Sequence, residues 1–114
     1  MDIEDKKCEP LVLFFNSIGL KTRYCCGGHN QYQSFWIMFD DEVKDADIHK
    51  FMSKLHKGSN GFGQFYKWDR YDFFGALLSN WMYVISADWI NVAKKNDYIP
   101  EEGDLKIFKR VYGI

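Results

Sequence analysis

No run of about eighteen apolar residues occurs in this chain, which excludes a membrane-spanning helix of ordinary length. The opening Met1-Asp2-Ile3-Glu4-Asp5-Lys6-Lys7 is too acidic and polar for a secretory signal, so a cytoplasmic setting is expected. Cysteine is sparse and odd in number: three thiols without an export signal argue for reduced side chains or metal ligands, not a disulfide framework. An excess of either charge is also missing. Fifteen basic residues against sixteen acidic ones leave a net charge of -1, which removes the global attraction expected of a dedicated nucleic-acid binder. Internal repeats, low-complexity stretches and long linkers are absent, and 114 residues suffice for one core, so a single compact domain over residues 1–114 is expected. The glycine-rich Gly58-Ser59-Asn60-Gly61-Phe62-Gly63 lacks the lysine and spacing of a phosphate-binding P-loop and reads as a mobile loop.

What the chain does have is aromatic side chains. At 18% of residues they exceed what a small core needs, which places some rings on the surface and points to a partner. Glu9-Pro10 opens a helix with Leu11, Phe14, Phe15 and Ile18 on one face, and Gly19 stops it. Leu20 to Cys25 alternates as a half-buried strand. Ser34 to Phe39 is a dense apolar run expected to be a central strand covered on both faces, and the two strands can pair as a hairpin. Asp45 or Asp47 caps a second helix carrying Ile48, Phe51, Met52 and Leu55, which Gly58 ends. Leu77 to Ala87 reads as a buried strand. Asp88 caps a short helix with Trp89, Val92 and Ala93 inward, and Asp104 to Ile114 fits either a strand or a helix. These elements predict an α+β fold: a mixed or antiparallel sheet of about four strands with two or three helices packed on it.

Tyr24-Cys25-Cys26-Gly27-Gly28-His29 concentrates two thiols and an imidazole between two apolar segments. Zinc favours thiolate and imidazole in a tetrahedral set, and Cys26-x-x-His29 can form a short chelate loop. Adjacent strand residues point to opposite faces, so Cys25 joins Cys26 on an ion only if the strand has already bent at Gly27. Further ligands of a structural zinc site must come from elsewhere: Cys8, one of Asp40, Asp41 and Glu42, or His49 or His56. The two histidines stand about 10 Å apart along a helix and do not grip one ion together. Cys8 also suits a core position. Two other chemistries use the same turn. One is a thiol/imidazole enzyme with His29 as base to Cys25 or Cys26. The other is a nucleotide-binding protein whose Gly27-Gly28 backbone cradles a phosphate beside Arg23 and His29.

Past Gly63, the rings of Phe65, Tyr66, Trp68 and Tyr71 interleave with Lys67, Asp69 and Arg70, as in an edge strand that exposes rings and charges. Such rings can stack on bases. Asp69 and Asp72 among them weigh against direct nucleic-acid binding, and a protein surface is the expected target, since Trp, Tyr and Arg dominate interface hot spots. Phe65, Tyr66, Lys67, Trp68, Arg70 and Tyr71 form the expected contact surface.

The order of a helix, Gly19-Leu20-Lys21-Thr22, Cys25-Cys26-Gly27-Gly28-His29 and an aromatic strand ending in Asp40 resembles short proteins encoded by phages of Gram-positive bacteria. These carry a Cys-x-Gly-His signature after a Gly-Leu-x-Thr strand. Cys26, Gly28 and His29 fall on the signature, and the likeness covers roughly the first third of the chain. Among small phage proteins of this size, several are anti-CRISPR inhibitors of effector nucleases, and at least one kind contains zinc. The resemblance implies a non-enzymatic inhibitor in the host-cell cytoplasm. Its implied partner is a host defence effector such as a CRISPR nuclease, and its implied cofactor a structural zinc with Cys26, His29, Cys25 and Cys8 as candidate ligands.

Overall fold

The computed structural model describes residues 5–55 and 61–114. The first helix, α1, spans Glu9–Ser17 with Pro10 in its first turn, where a missing N–H has no helical partner to lose. Leu11, Val12, Phe14 and Phe15 are buried. The helix ends as its glycine predicts: Gly19 takes φ +88°, its N–H reaches Asn16 O at 3.1 Å, and Leu20 N–H reaches Phe15 O at 2.9 Å. This pair of bonds is a Schellman cap, which satisfies carbonyls that the helix itself leaves without donors. Asn16 then holds the next strand, accepting from Thr22 N–H at 2.9 Å and donating to Thr22 Oγ1 at 3.2 Å.

Strands β1 (Thr22–Cys26), β2 (Phe35–Phe39), β3 (Gln64–Tyr71) and β4 (Leu77–Ile85) form one antiparallel sheet in the order β1-β2-β4-β3. Three further helices, α2 (Asp45–Leu55), α3 (Ala87–Lys95) and α4 (Pro100–Val111), complete an α+β architecture. The open C-terminal segment is therefore a helix. Phe35, Ile37, Phe39, Tyr83 and Ile85 share one face of the pleat and pack with Phe15, Phe51 and Phe108 in the core. β2 is central in pairing, as expected. Its other pleat differs from the expectation: Trp36 stays partly exposed, and Met38 is buried without belonging to the core cluster.

Register decides how far the sheet reaches. Met38 pairs with Met82, so β2 runs out near Trp81, whereas β3 and β4 continue to the pair Tyr71 and Leu77. The β3–β4 hairpin thus projects past β2 as a two-stranded ribbon. The amino end of α2 braces its root: the Asp45 carboxylate accepts from Trp81 Nε1 at 2.8 Å and pairs with Lys67 at 3.0 Å.

The helical stripes need two corrections. On α2, Ile48, Phe51 and Leu55 are buried, but Met52 is exposed. On α3, Ser86 rather than Asp88 is the cap, accepting from Trp89 N–H at 3.3 Å; Trp89 and Val92 are exposed, and Ala93 and the partly buried Ile90 face inward. Gly58 and His56 lie outside the described residues.

On α4, Asp104 has the same helical phase as Phe108 and is fully buried, with 0% exposure. Its carboxylate accepts from Phe62 N–H and Gly63 N–H, each at 2.7 Å, and from the Tyr83 hydroxyl. Burial, then the neighbouring carboxylate, hold the Tyr83 pKa well above its ordinary value, which keeps the hydroxyl a donor. The described part of the glycine-rich segment, Gly61 to Gly63, is therefore clamped rather than mobile.

Candidate functional site

Three neighbourhoods carry the chemistry: the cysteine–histidine turn, a cleft beside it, and the projecting hairpin. At the turn, strand alternation separates the two adjacent thiols. Cys25 pairs with Ile37 on the helix-covered side and packs against the core cluster to which the buried Cys8 belongs. Burial raises the pKa of both, so this pair behaves as core rather than as a nucleophile. Among the described residues, the close group of possible ligand atoms that holds Cys26 and His29 includes neither Cys8 nor Cys25.

Cys26 instead faces Asp5. The ligand atoms of Asp5, Cys26 and His29 all lie within 4.8 Å of one another. Asp5 Oδ2 accepts from Gly27 N–H at 2.7 Å, and Oδ1 accepts from Lys7 N–H at 3.1 Å. A side chain at Gly27 would run into this carboxylate at 2.8 Å, so the close approach requires glycine. Gly28, at φ +77°, turns the chain, and Gln33 Oε1 accepts from His29 N–H at 2.7 Å. The imidazole is 70% exposed.

The other ligand candidates are occupied elsewhere. Asp41 pairs with Arg23 at 3.2 Å and accepts from Asn80 at 2.7 Å, while Glu42 pairs with Lys21 at 3.8 Å. Asp40 leaves the far end of β2, and the His49 ring packs on Trp81 at 5.9 Å. His56 is outside the described residues. Asp5 was missed because it stands 21 positions before Cys26, and no local spacing marks it.

A cleft of about 390 Å³ opens beside the turn, lined by His29, Asn30, Asn91, Lys94, Tyr98 and Glu101 among others. Burial pushes the Glu101 carboxyl upward in pKa. Asn91 Nδ2 donates to Gln31 O at 2.8 Å and ties α3 to the loop that follows the turn.

The hairpin sorts the expected contact residues by strand alternation. Phe65 is corrected to the core side: it is partly buried, with its ring 5.5 Å from Phe51 and 5.6 Å from Tyr83. Lys67 is held by Asp45. Tyr66 and Trp68 are on the opposite face, where they line a shallow apolar groove of about 350 Å³ with Trp36, Met82 and Lys67. The Arg70 guanidinium lies 4.0 Å above the Trp68 ring and donates to Asn80 Oδ1 at 3.0 Å, which fixes both side chains. Tyr71 is exposed near the tip.

Sequence reasoning missed the tip itself. Phe73 is 96% exposed and Phe74 90%, with Leu77 and Leu78 exposed behind them. The turn presenting them is well bonded: Asp72 Oδ1 accepts from Phe74 N–H at 2.9 Å and Ala76 N–H at 2.8 Å, and Gly75 takes φ +82°. The bracket Asp72-Phe73-Phe74-Gly75 was the available signal, since Asp and Gly are turn residues and a Phe pair between them has no strand neighbour to bury it.

Comparison with known proteins gives one family. The profile described as YoqC prophage protein matches residues 1–102. No curated protein and no solved structure matches the chain. Among the described residues, no helix is long and apolar enough to cross a membrane.

Proposed function

This chain belongs to the YoqC prophage protein family, and from that premise we propose that it acts without catalysis, docking its β3–β4 hairpin on a host defence protein and inhibiting it. The observation that carries this reading is the pair Phe73 and Phe74, almost fully exposed on a turn whose hydrogen bonds hold it in shape. Two large rings kept in water are unfavourable for the isolated protein and mark a surface that another molecule covers. Each buries about 150–250 Å² when it enters a pocket, and Tyr66, Trp68 and Tyr71 along the same ribbon extend the patch toward the roughly 800 Å² per partner of a standard interface.

The electrostatics favour a protein target. Asp69 and Asp72 flank the rings and repel phosphates, while Arg70, laid over Trp68, is the residue pair typical of interface hot spots. Inhibition follows from occlusion: a ribbon that projects beyond the sheet enters a partner's groove and blocks nucleic acid or a required movement there. A prophage product with this surface is matched in purpose by an effector nuclease of the CRISPR type.

The test is a pull-down and nuclease-inhibition assay against such effectors with the intact chain and the Phe73→Ala/Phe74→Ala double variant. Hot-spot rings cost about 2 kcal/mol or more on truncation, so binding of the variant should weaken about 30-fold or more. Absence of binding to every effector tried, or equal binding by the variant, overturns the reading.

A further inference from the structure

We propose that Asp5, Cys26 and His29 form a three-ligand site for a zinc-class divalent ion, whose fourth position is left to solvent or to a ligand. This site is independent of the hairpin surface. Three observations carry it.

The first is geometric. His29 Nε2 and Asp5 Oδ2 are 3.7 Å apart, too far for a hydrogen bond. Zinc bond lengths in a tetrahedral arrangement put neighbouring N, O and S ligands about 3.4–3.6 Å apart. All three ligand atoms here lie within 4.8 Å, close enough for small side-chain rotations to close the set around one ion.

The second is the donor set. Thiolate, imidazole and carboxylate together suit zinc and related transition ions, whereas a thiolate disfavours magnesium and calcium. The two negative side chains cancel the double positive charge of the ion, so the half-buried position is not left with a net charge. The third is the surrounding shell. Backbone N–H groups of Gly27 and Lys7 hold the Asp5 carboxylate, and the Gln33 amide oxygen holds the His29 backbone. Such outer contacts orient ligands before the ion arrives.

An ion bound here ties the segment before α1 to the β1–β2 turn, two parts of the chain that otherwise meet through the Asp5 and Lys7 hydrogen bonds with Gly27 and Gly28. Because His29 also lines the cleft beside the turn, an ion held by it would border that cleft.

The experiment uses full-length protein purified without chelating resin, stripped with EDTA and titrated with Co(II) and with Zn(II). One ion per chain is expected, with the absorption of thiolate-to-cobalt charge transfer. Cys26→Ser should abolish that absorption, and Asp5→Asn and His29→Gln should each weaken binding at least about tenfold. Cys25→Ser and the Phe73→Ala/Phe74→Ala variant should bind as the parent does. Circular dichroism checks each fold; if Asp5→Asn unfolds, the exposed His29→Gln decides. No charge-transfer band in the parent, a band that survives Cys26→Ser, one that disappears in Cys25→Ser, or full affinity in His29→Gln overturns the proposal.

Discussion

Replacing Asp104 with alanine removes the acceptor of three donors at once. Phe62 N–H and Gly63 N–H lose partners at 2.7 Å, and the Tyr83 hydroxyl loses its partner as well, all at a residue with 0% exposure. An unsatisfied buried donor costs about 1–3 kcal/mol. Water entering the vacated space recovers part of this, which leaves a loss of about 3–5 kcal/mol, a large share of the roughly 5–15 kcal/mol that holds a domain together. Asp104→Asn should fall between, because its carbonyl can still accept while its amide meets a donor head-on. Tyr83→Phe should cost only about 1 kcal/mol, since Gly63 N–H keeps its acceptor. Urea unfolding followed by circular dichroism measures this. With a slope of about 1.5 kcal/mol per molar, the Asp104→Ala midpoint should drop by about 2–3 M at unchanged slope. A drop below about 0.5 M, or a Tyr83→Phe loss as large as that of Asp104→Ala, would show that the clamp does not stabilise the fold as argued.

Other outcomes follow from the same structure. Gly63→Ala drives a methyl group into the fully buried Tyr83 ring, whereas Gly103→Ala meets the hydroxyl end of Tyr98, a half-exposed residue that can swing away; urea midpoints should show a loss of about 1–3 kcal/mol for the first and much less for the second. Burial raises the Glu101 pKa, so the folded state keeps that proton to a higher pH than the unfolded chain does. Its contribution is complete below about pH 4, the ordinary glutamate range, and is lost as pH rises through the folded pKa. The stability of the parent relative to Glu101→Gln should accordingly shrink with rising pH, and a gap that widens would contradict the assignment. The Phe73→Ala/Phe74→Ala variant should melt within about 0.5 kcal/mol of the parent, because neither ring touches the core; a large loss would make the tip structural instead of a docking surface.

Local order was legible before any tertiary contact was known, because its causes lie within a few residues. Pro10 and Gly19 bound α1, alternation and turn residues mark the β1–β2 hairpin, and together these led to an α+β fold with a mixed or antiparallel sheet, which the strand pairings resolve as antiparallel. The C-terminal segment stayed open between helix and strand, since a short apolar pattern fits both until the core selects one. Cys26 and His29 were recognisable as neighbours across a glycine turn.

Periodicity states which residues share a face but not which face a neighbour covers. That is why Phe65 turned inward while Tyr66 stayed out, and why Trp89 and Val92 on α3 remain exposed. The fold alone placed Asp5 beside Cys26 and His29, buried Asp104 under Gly61 to Gly63, and carried Phe73 and Phe74 beyond the end of β2. Each of these depends on strand register and on helices meeting across long sequence separations. By itself the sequence determined the elements before the C-terminal segment and a cysteine–histidine turn; tertiary packing decided that last element, the third member of that turn's cluster and the projecting surface, because each depends on distant backbone segments being brought together.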